Sequence, residues 1–125
     1  MPLSDNDVRA AALAQLTSDQ LRSSIVYLAS GMIAKGTRLA FPRVTIQMPW
    51  DGFLAFIDLD PMANWTHPSR YVCIQQDSGD TKTIEANLPP FGARTNPSLR
   101  WQELYRAPDV PAAVGAIPHP SSAGK

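Results

Sequence analysis

The sequence predicts an α+β domain, with two N-terminal helices packed on a four-stranded antiparallel meander, a short third helix and a flexible C-terminal tail. Three observations predict it. Apolar residues recur at helical spacing early in the chain, behind two capping-box patterns. Alternating and continuous apolar runs, separated by turn residues, fill the middle. Beyond residue 106 the composition shifts to proline, alanine, serine and glycine. A chain of 125 residues is one domain by the usual size scaling and is long enough for one real core. The expected division is therefore a compact domain over 1–106 and a tail over 107–125 with too little apolar content to fold alone.

The elements follow in order. Ser4 and Asp7 have capping-box spacing, and Val8, Ala12 and Leu16 repeat with the helical period, which gives a first helix over 5–16. Thr17 and Gln20 form a stronger box. Leu21, Ile25, Leu28 and Met32 then follow at i, i+4, i+7 and i+11, so a second helix is expected to run to Gly36. Val44, Ile46 and Met48 alternate with polar residues as a half-buried strand does. Pro49-Trp50-Asp51-Gly52 is a turn. Phe53 to Ile57 is a continuous apolar run, the pattern of a central strand covered on both faces. Tyr71 to Gln75 is a third strand, Asp77-Ser78-Gly79-Asp80 a hairpin turn, and Ile84, Ala86 and Leu88 mark a fourth strand. Asn96-Pro97 has N-cap chemistry, and a helix from Pro97 to about Arg106 would gather Trp101, Leu104 and Tyr105 on one side.

Composition narrows the function classes. Eleven basic and eleven acidic side chains cancel, so no global field favours nucleic acid or an anionic membrane. Arg94, Arg100 and Arg106 lie around Trp101 and Tyr105, but aromatics at that spacing are more often core than a base-stacking patch. One cysteine, Cys73, permits neither an internal disulfide nor a multi-cysteine metal site, and its mid-strand position argues for a buried, structural thiol. The acidic N-terminus is unlike a secretory signal, and the longest apolar stretch is far short of a membrane span. A reducing, cytoplasmic location is expected.

Chemistry concentrates in one stretch, from Asp58 to Tyr71. A connection of this length between strands is long for a hairpin, and long loops on rigid scaffolds carry function. On purely structural grounds Asp58 and Asp60 would end the strand, cap the turn and pair with Arg70, while Trp65 plugs the sheet edge. Two functional readings compete with that one. In the first, the loop is a contact surface. In the second, Asp58, Asp60 and His67 form the centre of a small metal-dependent hydrolase. If the strand continues through residue 60, the two carboxylates share a face about 6.5–7 Å apart. No glycine-serine elbow, phosphate-binding loop or histidine cluster supports catalysis.

The first reading is preferred: a non-enzymatic protein-binding module such as an inhibitor, immunity factor, adaptor or assembly subunit. No cofactor or metal is expected, nor any catalytic residue. The contact residues expected are Asp60, Asn64, Trp65, His67 and Arg70, with Trp50 extending the patch if its turn lies at the same end of the sheet. A protein partner is expected, with no membrane or nucleic acid, and self-association through an exposed strand or helix face is a third reading.

Overall fold

The computed structural model describes residues 3–41, 43–62, 68–88, 90 and 99–114. It corrects the expected layout. Among the described residues the protein is mostly strands: a five-stranded antiparallel sheet, a separate two-stranded sheet, and two helices. The elements are α1 (Asp5–Leu13), α2 (Ser18–Leu21), β1 (Ile25–Ala29), β2 (Arg38–Phe41), β3 (Val44–Gln47), β4 (Gly52–Asp58), β5 (Ser69–Gln75), β6 (Thr81–Ala86) and β7 (Trp101–Arg106). The large sheet has the order β6-β5-β4-β1-β7, and β2 pairs with β3 in the small one.

Both capping boxes form. Ser4 and Thr17 each accept the backbone N–H three residues on, and the Asp7 and Gln20 side chains answer the cap N–H groups. The second box opens only one helical turn, however, and the long second helix expected after it is absent. Ile25 to Ala29 is instead strand β1, hydrogen-bonded between β4 and β7. Its run of Ile-Val-Tyr-Leu-Ala satisfies a helical stripe and a doubly covered strand alike. Backbone pairing on both sides decides for the strand, because burial leaves its N–H and C=O groups no water to bond.

The helix expected near 97–106 is also corrected. Residues 101–106 form β7, paired with β1 at one edge of the sheet. The register slips between Val26 and Tyr27, so that Tyr105 faces Val26 while Glu103 faces Tyr27. One extra residue breaks the alternation of a strand, and Trp101, Leu104 and Tyr105 thereby acquire a spacing that imitates a helix. The strand expected at 44–48 exists over 44–47. It belongs to the small sheet, not to a four-stranded meander.

The large sheet is covered on both faces. On one, Val8 and Ala12 of α1 and Leu16 pack against Val26, Ala55, Ile57, Val72 and Ile74. On the other, Leu39, Phe41 and Ile46 of the β2–β3 hairpin pack on Ile25, Tyr27, Leu54, Phe56, Tyr71 and Cys73. Phe41 stacks on Tyr71 at 4.8 Å between ring centroids, and Tyr71 lies 5.0 Å from Phe56. Burial on both faces explains why residues 53–57 of β4 and 71–74 of β5 are continuously apolar. Ala107 and Val110 are buried in the hairpin-side core, just past the boundary expected at 106. Arg106 Nη1 donates to the carbonyls of Pro111 and Val114, both at 2.7 Å, and so holds the segment that follows β7. No described helix is long and apolar enough to cross a membrane.

Candidate functional site

The long loop leaves and rejoins two largely buried, neighbouring strands, β4 and β5. Asp58 ends β4, Ser69 starts β5, and the two are paired in register. Just beyond, the Leu59 N–H donates to the Pro68 carbonyl at 2.9 Å, closing an excursion over 60–67. Asp58 is 5% exposed, and its Oδ1 accepts the Asp60 N–H at 3.1 Å. That bond turns the chain away from the sheet, so the strand stops at Asp58 and does not carry both carboxylates along one face. Asp60 is exposed, Pro61 is buried, and Met62 is 60% exposed at the foot of the loop. Asn64, Trp65 and His67 lie outside the described residues.

Arg70 does not pair with Asp58. Side chains alternate between faces along a strand. Asp58 lies in the row of Ser69, whereas Arg70 lies in the next row, opposite Ile57 and Glu85. Asp58 therefore faces the hairpin side and Arg70 the helix side. There Arg70 Nη1 donates to the Gln15 carbonyl at 3.0 Å, and Nε sits 3.5 Å from a Glu85 carboxylate oxygen. Its job in the fold is to tie the segment after α1 to the sheet. Gln15 completes the tie through side-chain hydrogen bonds with Thr81 and Thr83 on β6.

Trp50 stands apart. Strand β4 runs unbroken from Gly52 to Asp58, which puts Trp50 and the foot of the loop at Leu59 at its opposite ends, about 20 Å apart. Trp50 is half-buried against the core, and its indole N–H is buried without a hydrogen-bond partner among the described residues. The neighbouring Asp51 carboxylate accepts the Lys35 N–H at 2.7 Å, fixing that turn.

Around the loop's base, the hairpin-side face carries several buried polar groups. Ser69 and Tyr71 are buried, and their hydroxyls have no hydrogen-bond partner among the described residues. Tyr27 lies in the same row as Tyr71. Burial, with a smaller contribution from the Asp58 charge, raises the pKa of its phenol well above the ordinary value. Cys73 is fully buried, and burial pushes its thiol up to about 11, which makes it a poor nucleophile at neutral pH. Among the described residues no group of three His, Cys, Asp or Glu side chains is placed to hold a metal ion.

A second feature at this end of the sheet involves residues outside the expected set. Arg43, Val44, Glu85, Ala86 and Asn87 line an open cleft of about 370 Å³. Ala86 is paired with Ser69, so the cleft is beside the root of the loop. A sequence signal existed for the hairpin that brings Arg43 there. Leu39 and Phe41 alternate with Arg38 and Ala40 ahead of Pro42-Arg43, as a strand before a tight turn does.

A scan against protein-family models, a search of curated proteins and a search of solved structures each find no match. Of the expected contact residues, Asp60 and Arg70 lie at the loop end of the sheet, Arg70 on its helix side, and Trp50 lies at the other end.

Proposed function

We propose that this chain is a small protein-binding module without catalytic activity, and that the 60–70 loop is its contact surface. The observation that carries this reading is the pinned excursion itself. Its feet are the ends of the two buried central strands, joined by the Leu59–Pro68 hydrogen bond, and Met62 is held in solvent just beyond. An exposed methionine on a rigid base suits a contact surface, because its flexible, polarizable side chain adapts to an apolar pocket. Trp65 is the anchor expected from its type, since tryptophan dominates the energetics of interfaces.

The test compares the full chain with Met62→Asp and Trp65→Ala as baits in native extract, scored by quantitative mass spectrometry. Circular dichroism of each variant checks the fold. Both variants are expected to lose the same captured protein while keeping wild-type melting behaviour. Equal capture by all three baits would sink the reading. Unfolding of Trp65→Ala alone would assign Trp65 to the core and leave the decision to Met62→Asp.

A further inference from the structure

The β2–β3 hairpin turns so tightly that Phe41 pairs directly with Val44. Arg43 sits within that turn with a φ of 62°, and it is the sole described residue other than glycine with positive φ. In this left-handed region the Cβ of an L-residue crowds the following carbonyl, so glycine or asparagine normally occupies such a position. The sequence carries a long cation there. Arg43 is exposed, and no described residue hydrogen-bonds or ion-pairs with it. It borders the open cleft, whose lining also includes the apolar Val44 and Ala86 and the neutral amide residue Asn87. The other charge in the lining, Glu85, is 70% exposed and lies 3.5 Å from Arg70 in a solvent-screened ion pair. The cleft thus presents one unpaired positive charge, Arg43, beside a small apolar surface and a neutral hydrogen-bonding group, with the Glu85 carboxylate already drawn towards Arg70.

We infer that Arg43 is a specificity-determining contact of this module, and that the cleft receives a carboxylate side chain from an acidic segment of the partner. The inference rests on the protein-binding reading and deepens it. A guanidinium binds a carboxylate through two parallel N–H···O bonds, and Asn87 supplies a further donor of the kind a carboxylate oxygen accepts. Because Ala86 adjoins Ser69, an occupant of the cleft reaches the 60–70 loop without crossing the sheet. Backbone strain at Arg43 is tolerated because the side chain, not the turn, is what the position supplies.

A displayed library of short random peptides, panned against the full chain, tests this. The expected result is a set of peptides that share an aspartate or glutamate. Replacement of that residue by its amide, or Arg43→Gly in the protein, is expected to weaken binding about tenfold, while Arg43→Lys retains part of it. Arg43→Gly fits the turn without strain, so loss of binding cannot be put down to misfolding, and its melting temperature should rise. Enriched peptides without an acidic residue overturn the inference, as do peptides that bind Arg43→Gly as well as wild type. So does a library that enriches nothing. If binding is lost with Met62→Asp yet unchanged with Arg43→Gly, the cleft inference fails and the loop reading stands. If neither substitution matters, both fail.

Discussion

Arg70 donates from Nη1 to the backbone carbonyl of Gln15 at 3.0 Å, across the interface between the sheet and the segment that follows α1. The arginine is 19% exposed and the bond is charge-assisted, whereas the Glu85 side chain that also meets Arg70 is 70% exposed. A charge-assisted bond in a half-buried site outweighs a water-screened pair. Arg70→Ala should lower stability by about 1.5–3 kcal/mol. Glu85→Gln should cost less than about 0.5 kcal/mol. Urea denaturation of both variants checks the order, and equal losses would mean that the ion pair carries the contact.

Gly52 admits no side chain. It opens β4, bonds Ile33 in both directions (2.6 Å from the Ile33 N–H and 3.0 Å to its carbonyl), and lies so close to β5 that an added Cβ would run into the Ile74 carbonyl oxygen. The obstacle is backbone in a central strand, which cannot swing aside. Gly52→Ala is expected to cost about 3 kcal/mol or more, or to prevent folding, as read from the yield of soluble protein and its denaturation midpoint.

The Tyr71 hydroxyl is buried with no partner among the described residues, and desolvation raises its pKa. Removing an unsatisfied buried hydroxyl while keeping the ring, which stacks on Phe41, should help the fold. Tyr71→Phe is expected to raise stability by about 1 kcal/mol in urea denaturation. A loss of similar size would show that the hydroxyl has a partner.

Alkaline pH should destabilise the protein in two stages. The Cys73 thiol titrates near its ordinary 9.0 in the unfolded chain but is held up to about 11 when folded, by burial. Above the unfolded value the folded state holds the extra proton, so stability present below about pH 9 is lost as pH rises towards 11. Tyr27 and Tyr71, also raised chiefly by burial, add to the fall from about pH 10 upward. The urea midpoint should be flat between about pH 7 and 8.5 and then decline, and Cys73→Ala should delay the onset towards pH 10. Thiol-reagent labelling of Cys73 should proceed only as fast as the chain opens.

Much of the local structure was legible in the residues, and the candidate site only in part. Ser4–Asp7 and Thr17–Gln20 announced both helix starts, because a cap needs only neighbours within one turn. The turn at Asp77–Asp80 and the apolar runs at 53–57 and 71–75 were equally local. Asp58 as a turn-forming residue followed from its place at the end of such a run. The Arg70 contact did not, since its partner is the carbonyl of Gln15, far away in sequence. The cleft at Arg43 was invisible because it exists only where the hairpin tip meets the end of β6.

By itself, then, the sequence determined where caps, turns and apolar runs lie, through interactions that span a few residues. Tertiary structure alone decided what the ambiguous runs became. Ile25–Ala29 satisfies a helical stripe and a buried strand, and it is a strand because β4 and β7, reached through Asp58 and Arg106, complete its backbone hydrogen bonds. Likewise, the β4–β5 pairing set the register that sends Asp58 and Arg70 to opposite faces of the sheet. Pairing between distant segments has no local signature, and it is the need to satisfy buried backbone groups that settles it.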